Sequence, residues 1–298
     1  MAHSQPVPGT NFKASPGLLY FVQRLVVQQW LRKIVVAVLS RGIRLRRRRS
    51  AMGIQDYKPA LDTLHRSGFV PLPGLLSTSQ VDEIHAFLDQ QECVDRSNHE
   101  RSFNAATVPA GVSIADYPMQ TVLACPHILA LANHPQLLAL ASAYIGCIPT
   151  ISAIILRWSF PTDAEGAGIQ AFHRDSDDWR FLKIFIYLTD VDDEAGPHVY
   201  VRGTHLTNST VRLKSFSDEA VATAHGDARI VVTGPRGFGF AADTYGVHKG
   251  MVPRTKPRLL LQVQYSLLPV FAYDYQPEPY AGKLPLDRYI NRLILTAD

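Results

Sequence analysis

The stretch Phe181-Leu182-Lys183-Ile184-Phe185-Ile186-Tyr187-Leu188 decides the fold class of this chain. β-branched and aromatic residues dominate it, and neither Gly nor Pro interrupts it, which is typical of a buried β-strand. Similar short runs separated by turn residues begin near residue 150, at 151–160, 169–173, 198–201, 228–232, 238–241 and 258–267. Such a series predicts a mainly β fold, either a sandwich or a double-sheet jelly roll.

The part of the chain before this region has a helical pattern. Ser77 is placed as the N-cap of a helix that runs to about Gln91, and shorter helices are expected at 60–65, 126–132 and 135–144. Residues 95–118 are polar and weakly periodic, so we expect a loop there, with a lid as its candidate role. The predicted organisation is an N-terminal arm, 1–50, and a single domain, 51–298. The domain divides into helical support (51–148), a jelly-roll core (149–270) and a C-terminal tail (271–298).

The charge of the chain is distributed unevenly. Residues 1–50 hold ten of the 30 Lys and Arg residues and none of the 26 Asp and Glu residues, so residues 51–298 carry 20 basic and 26 acidic side chains, a net charge of −6. A mildly acidic body does not favour nucleic-acid binding. The three cysteines form no C-x-x-C pattern, which fits buried thiols in a reducing compartment and predicts a cytoplasmic location.

The N-terminal arm combines apolar residues at helical spacing between Leu18 and Val38 with the basic cluster Arg44 to Arg49. It has no uncharged run long enough to span a bilayer. A basic amphipathic helix is attracted to an anionic membrane surface, so one interpretation is peripheral membrane contact. The other is a helix that packs on the domain and leaves a solvated arginine tail.

A His-x-Asp pair occurs twice, as His173-Arg174-Asp175 and as His225-Gly226-Asp227. The first pair lies between the strand-like runs 169–173 and 181–188, whereas the second follows a polar run and is typical of a turn. Alternate side chains of a strand point to the same face, so His173 and Asp175 could bind one metal ion. We therefore expect the first pair to carry the chemistry.

His248 and Arg258 complete the candidate site. A hairpin joining their segments would bring Arg258 beside His248, and Arg binds a carboxylate with two parallel hydrogen bonds. Two imidazoles and one carboxylate hold one face of an iron(II) ion and leave three positions open. His173, Asp175 and His248 are therefore the predicted metal ligands and catalytic residues.

With these residues in place, the chain resembles the phytanoyl-CoA dioxygenase-like family of iron(II)/2-oxoglutarate-dependent oxygenases. The resemblance runs from about Gly68 to Leu268 and includes Leu188-Thr189-Asp190-Val191-Asp192-Asp193-Glu194-Ala195-Gly196-Pro197 and Arg202-Gly203-Thr204-His205. It implies a double-stranded β-helix (jelly roll, cupin-like) with a helical N-terminal part. The implied activity is hydroxylation of an aliphatic carbon of a small-molecule or lipid- or sugar-type substrate. It would use Fe(II), O2 and 2-oxoglutarate as cosubstrate, and release succinate and CO2.

The resemblance also implies roles for individual residues. Arg258 takes the distal carboxylate of 2-oxoglutarate, and three other residues are candidate cosubstrate ligands: Gln170, Lys183 and Tyr187. Trp179 and His198 are candidates for the substrate side. The alternative for Trp179 is a core or rim aromatic, and His198 follows Gly196-Pro197 at the start of a strand. His205 is expected to be structural. Gly250 stands where several relatives have a Ser that binds the cosubstrate, so Arg258 needs another partner, with Tyr187 or a water as candidates.

Two other functions remain open from the residues. One is a jelly-roll protein that binds a ligand or a metal ion without turnover, in which case the triad residues would not converge or would hold a redox-inert metal. The other is a cupin-like isomerase with the same ligands, which would tolerate the loss of Arg258.

Overall fold

The computed structural model describes residues 7–14, 17–47, 58–163, 168–208 and 215–296. Its helices are α1 (Leu18–Leu25), α2 (Gln29–Arg46), α3 (Lys58–Ser67), α4 (Thr78–Leu88), α5 (Met119–Ala124), α6 (Ile128–Ala132), α7 (Pro135–Ile145), α8 (Asp218–His225) and α9 (Arg288–Asn291). Its strands are β1 (Thr10–Phe12), β2 (Phe69–Leu72), β3 (Glu92–Asp95), β4 (Ser102–Asn104), β5 (Ile114–Asp116), β6 (Thr150–Ser159), β7 (Phe181–Tyr187), β8 (His198–Val201), β9 (Arg229–Val232), β10 (Gly239–Ala242), β11 (His248–Gly250), β12 (Arg258–Ser266) and β13 (Tyr273–Tyr275).

Two antiparallel sheets form the jelly roll. Within the described residues, the larger sheet has the order β2-β10-β7-β12-β6-β5-β3-β4 and the smaller one the order β11-β8-β9. The predicted double-stranded β-helix with a helical N-terminal part is thus confirmed. The decisive strand β7 lies between β10 and β12, and all seven of its residues are buried. Central strands are covered on both faces, which is why this stretch is almost continuously apolar.

The two faces of β7 and β12 contact different surroundings. Ile184 and Leu261 belong to the main core between the large sheet and the helices, whereas Phe185 and Leu260 pack between the two sheets with Tyr200 of β8. Alternation along a strand produces this division. The same alternation places the polar residues of β7 and β12 inside the jelly roll.

The helical support is specified by local signals. Ser77 accepts a hydrogen bond from the backbone N–H of Gln80, and the Gln80 side chain accepts one from the Ser77 backbone, a complete capping box. Helix α7 begins at Pro135 and ends before Gly146, whose φ of 91° needs a residue without a Cβ. These two helices cover the large sheet, because their apolar faces join its main core.

Two sequence-based expectations need correction. Residues 95–118 are not loop throughout: they contribute β4 and β5, and β5 pairs with β6 to extend the large sheet. Residues 169–173 do not form a strand. They contain a 3₁₀ turn, Gly168–Gln170, and then an isolated bridge between His173 and His248. Both differences arise from pairing with distant segments, which cannot be predicted from the periodicity of short polar segments.

The N-terminal arm packs on the jelly roll through α1 and α2. Gln23 donates a hydrogen bond to Asp178 at 3.0 Å, and buried Arg32 donates to the carbonyl oxygens of Asp178 and Trp179 at 3.0 and 2.8 Å. Two members of the predicted basic cluster, Arg48 and Arg49, lie outside the described residues.

One stretch of the described chain, residues 128–145, is long and apolar enough to cross a bilayer by composition alone. It comprises α6 and α7, and 61% of it is buried within the fold, as in the core helices of soluble proteins.

Candidate metal centre

Three side chains converge inside the jelly roll. His173, Asp175 and His248 each offer a ligand atom, and these atoms lie within 4.8 Å of one another. The Nε2 atoms of His173 and His248 lie 3.6 and 3.5 Å from the two oxygens of Asp175. The other pair, His225 and Asp227, lies at the end of α8 and is not part of this group.

Backbone hydrogen bonds hold the triad together. His173 and His248 form a reciprocal bridge, with N–H to carbonyl distances of 2.9 and 3.0 Å, and the Asp175 N–H donates to Thr244. The predicted regular strand is therefore unnecessary: one bridge brings the first pair beside β11. The separation of 73 residues between Asp175 and His248 is closed by pairing between segments, which the sequence does not encode locally.

Both imidazoles are oriented as metal ligands require. Nδ1 of His173 lies 2.8 Å from the carbonyl oxygen of Ala171, and Nδ1 of His248 lies 3.0 Å from that of Gly246. A ring that donates its Nδ1–H to a carbonyl leaves the Nε2 lone pair for a metal. Because both Nε2 atoms face Asp175, the group fits a mononuclear divalent metal ion.

Lys183 keeps the carboxylate of the triad ionised. Its ammonium donates to Asp175 at 2.6 Å and lies 3.3 Å from Asp177. Burial alone would raise the pKa of Asp175, but the Lys183 charge and the two imidazoles hold it well below its usual range. Lys183 was a predicted cosubstrate ligand. The structure directs its ammonium into the jelly roll, where it contacts the carboxylate of the triad.

The pKa values of the two histidines shift in opposite directions. Burial, followed by the charge of His173, lowers the pKa of His248 to about 3, so this imidazole is neutral at pH 7. Burial acts in the same direction at His173, but the hydrogen bond and the charge of Asp175 outweigh it and raise that pKa. Because a metal ion binds the neutral imidazole, protons compete with the metal more strongly at His173 than at His248.

Arg258 is a buried cation without a carboxylate partner among the described residues. It is 5% exposed, and its NH2 group donates one long hydrogen bond, 3.4 Å, to Ser159 across the β12–β6 pair. Its Nε and NH1 atoms have no hydrogen-bond partner in the described ranges. An unpaired buried guanidinium is costly, so the site fits an anionic ligand that enters and satisfies it.

Gly250 lies between Arg258 and the triad residue His248. His248 and Gly250 point to the same face of β11, about 7 Å apart at strand spacing. A Cβ on Gly250 would lie 2.9 Å from the Arg258 NH2 atom, so the guanidinium lies directly over this glycine. Arg258 and the triad are therefore both next to β11, so a metal ion held by the triad and the guanidinium could bind the two ends of one dicarboxylate.

The other predicted site residues do not contact the triad or Arg258 in the ways that were expected. Tyr187 donates to the carbonyl oxygen of Val232 and accepts from the His198 N–H, so it is not the partner of Arg258; Ser159 is. Trp179 packs in the main core and beside Arg32, which is the core alternative. Gln170 is buried, with an unpartnered Nε2 atom.

His205 bonds the His65 carbonyl oxygen, a structural contact, as expected. Ser159 and Asp177 were missed by the sequence reasoning. Only the β6–β12 register would have identified Ser159, and single sequences do not show register.

A family model for phytanoyl-CoA dioxygenase (PhyH) matches residues 64–233. The chain belongs to the phytanoyl-CoA dioxygenase family. This confirms the resemblance seen in the sequence and makes the protein an enzyme of the 2-oxoglutarate-dependent oxygenase type. The matched residues include His173 and Asp175 and end before His248 and Arg258. In the structure, His248 and Arg258 lie beside the residues that the family model matches.

Solved structures show that the fold is shared. The α-ketoglutarate-dependent epimerase SnoN from nogalamycin biosynthesis is 21% identical, with 82% of this chain and 96% of that chain covered and a TM-score of 0.52. EctD from S. alaskensis, solved with 2-oxoglutarate and 5-hydroxyectoine, is 18% identical, with coverage of 80% and 85% and a TM-score of 0.51. HygX from Streptomyces hygroscopicus, with nickel, 2-oxoglutarate and hygromycin B bound, is 18% identical, with coverage of 74% and 90% and a TM-score of 0.51. No curated protein sequence matches the chain.

Proposed function

We propose that this protein is an iron(II)- and 2-oxoglutarate-dependent dioxygenase that hydroxylates an aliphatic carbon of a small-molecule or lipid- or sugar-type substrate. The observation that supports it best is the unpaired guanidinium of Arg258, placed over Gly250 two residues beyond His248. A site that only bound a metal ion would have no use for a buried, uncompensated cation beside the triad. A cupin-like isomerase that does not need Arg258 is disfavoured for the same reason.

In this proposal each residue has one task. His173, Asp175 and His248 would hold the iron, and Lys183 would keep Asp175 ionised. Bound iron with 2-oxoglutarate supplies the oxidising chemistry, in which O2 and the cosubstrate become succinate, CO2 and the hydroxyl oxygen of the product. Arg258 would orient the cosubstrate by binding its distal carboxylate. The apolar rings that line the interior exclude water from the site, in agreement with the burial of Phe185 and Phe240.

The carboxylate ligand separates this reaction from halogenation. The resemblance implies that halogenating relatives lack it and bind chloride in its place. Asp175 is present and is held by Lys183, so oxygen transfer is the favoured outcome.

Anaerobic titration of the protein with iron(II) and 2-oxoglutarate tests the assignment. Wild type should show the weak visible charge-transfer band of the chelate. His173→Ala should lose the band, and Arg258→Ala should need much more cosubstrate. His225→Ala, in the other His-x-Asp pair, is the matched control and should behave as wild type. If iron-loaded wild type gave no band, the dioxygenase assignment would be withdrawn in favour of a binding protein.

We further propose that the N-terminal arm contacts an anionic phospholipid surface, which would place the enzyme at the cytoplasmic face of a membrane. Eight of the 13 large hydrophobic side chains exposed in the described part of the chain lie on its two helices: Leu18, Leu19, Phe21, Leu25, Trp30, Ile34, Val38 and Leu45. Exposed Lys33, Arg41, Arg44 and Arg46 lie on the same helix as the last four. The opposite face of that helix packs on the jelly roll, so the apolar outer face remains for another partner.

Charge complementarity selects the partner. With ten basic and no acidic residues in 1–50, the arm is attracted to anionic lipids, and burial of the outer residues in the interface adds apolar free energy. Vesicle flotation with phosphatidylcholine alone or with phosphatidylserine tests this. Wild type should float only with the anionic vesicles. Ile34→Ser combined with Val38→Ser should abolish flotation, whereas Val231→Ser, an exposed valine outside the arm, should not. Wild type that failed to float would refute the proposal.

A further inference from the structure

His198 is a buried polar group that the proposed mechanism leaves unused. It lies at the start of β8, is 5% exposed, and its Nε2 atom has no hydrogen-bond partner among the described residues. Buried polar atoms without a partner are uncommon and need an explanation, such as a missing ligand or water. Arg258 and Gln170, both expected to contact the cosubstrate, also have unpartnered buried nitrogen atoms in the described part of the chain, as do the hydroxyls of Ser176 and Thr244 beside the triad.

The position of the ring connects the two ends of the proposed cosubstrate site. His198 and Gly250 are directly paired on β8 and β11, and the Arg258 guanidinium lies over Gly250. On the other side, the His198 ring stacks on His248, with 5.5 Å between centroids and an interplanar angle of 19°. The imidazole therefore stacks on a proposed metal ligand and belongs to the residue that pairs with the glycine under Arg258.

The surroundings fix the position of the ring. Its backbone N–H donates to the Tyr187 hydroxyl at 3.0 Å, and Phe185 and Phe240 pack against the ring with centroids at 4.9 and 5.2 Å. The imidazole is therefore held in one position beside His248.

We propose that His198 is a further cosubstrate-binding residue, whose Nε2–H donates a hydrogen bond to the 2-oxoglutarate carboxylate that Arg258 holds. This inference rests on the proposed function. It also accounts for Gly250, where several relatives have a serine. Here the guanidinium donates to the hydroxyl of Ser159, His198 is the residue that pairs with Gly250, and a side chain at 250 would contact Arg258 instead of the ligand.

The test measures dissociation constants for 2-oxoglutarate and for pyruvate, by anaerobic titration of the iron(II)-loaded protein. Pyruvate has the same 2-oxo acid group but no distal carboxylate. His198→Phe keeps an aromatic ring and removes the donor, and His198→Gln replaces the ring but keeps an N–H. Because a hydrogen bond to a charged group is involved, His198→Phe should raise the constant for 2-oxoglutarate about 10- to 100-fold. The constant for pyruvate should stay unchanged, and His198→Gln should recover most of the loss.

The outcomes separate this inference from the function on which it rests. Binding of 2-oxoglutarate that depends on Arg258 but is unchanged in His198→Phe would refute the role of His198 alone. Equal losses for 2-oxoglutarate and pyruvate would also refute it, because they would indicate a disturbed metal site next to His248. Absence of binding to wild type would overturn both. His198→Leu replaces His198→Phe if the larger ring prevents folding.

Discussion

Replacement of Arg258 by methionine should stabilise the ligand-free protein while it abolishes cosubstrate binding. The guanidinium is buried, makes one hydrogen bond of 3.4 Å, and has two nitrogen atoms without a partner. Methionine keeps an unbranched apolar stem and removes the charge and all its donors. The buried, unsatisfied guanidinium therefore lowers the unfolding free energy of the ligand-free wild type, and a bound carboxylate would offset this loss.

The size of the expected gain in stability follows from the number of unsatisfied hydrogen-bond donors. Each buried unsatisfied donor costs about 1–3 kcal/mol, and the single long hydrogen bond to Ser159 contributes at most about 1 kcal/mol. After the loss of that bond and of some packing is subtracted, Arg258→Met should gain about 1–4 kcal/mol of unfolding free energy. For a chain of this size, each kcal/mol raises the melting temperature by about 2–4 °C.

Thermal and urea denaturation of the metal-free protein measure the gain, and the same scans with manganese(II) and 2-oxoglutarate measure binding. A ligand at 100 times its dissociation constant should stabilise wild type by about 2.7 kcal/mol, and Arg258→Met much less. Arg254→Met is the matched control, since Arg254 is largely exposed near the same strand and its change should stay within about 0.5 kcal/mol. A metal-free Arg258→Met variant less stable than wild type, or one that keeps the full ligand-induced shift, would refute the reasoning.

Three further changes test other parts of the structure. Asp116→Asn removes the carboxylate that accepts two hydrogen bonds from Arg157 at 2.6 and 2.9 Å, and should lower the unfolding free energy by about 3–5 kcal/mol in urea at pH 7. Because the folded-state pKa of Asp116 lies below the ordinary value of 3.8, this stability is present above pH 3.8 and is lost as pH falls through the folded pKa, so the difference between variant and wild type should shrink in acid. Ser77→Ala removes a helix cap and should cost about 1 kcal/mol with an unchanged dissociation constant for 2-oxoglutarate; a change in that constant would contradict the assigned role. Gly250→Ala places a Cβ 2.9 Å from the end of the flexible Arg258 side chain, so calorimetry should show a nearly unchanged fold with about tenfold weaker 2-oxoglutarate binding.

Much of the fold could be read from local patterns. The predicted strand at 258–267 is β12 within one residue, and the strand 198–201 coincides with β8, because β-branched and aromatic runs between turn residues need no knowledge of their partners. The helix cap at Ser77 was found in the same way. The 3₁₀ turn at Gly168–Gln170 was missed, since a single bridge to a distant residue replaces the strand expected there.

The candidate site could likewise be predicted only in part from local patterns. Residue types and spacing were enough to choose His173, Asp175, His248 and Arg258, because this chemistry requires two imidazoles, a carboxylate and a cation for an anionic ligand. They were not enough to direct Lys183 onto Asp175, because that depends on which face of β7 turns inward. A one-residue change in register would have pointed Lys183 into the core with the helices.

The sequence by itself determined most strands of the jelly roll, the helical support, the family and the four central residues of the candidate site, since each depends on short-range pattern or on residue chemistry. Only the tertiary structure decided that Ser159, rather than Tyr187, accepts a hydrogen bond from Arg258, and that His198 stacks on His248 and pairs with Gly250. These are contacts between strands far apart in the chain. Cross-strand pairing, set by the packing of the whole jelly roll, selects them, and no local signal encodes it.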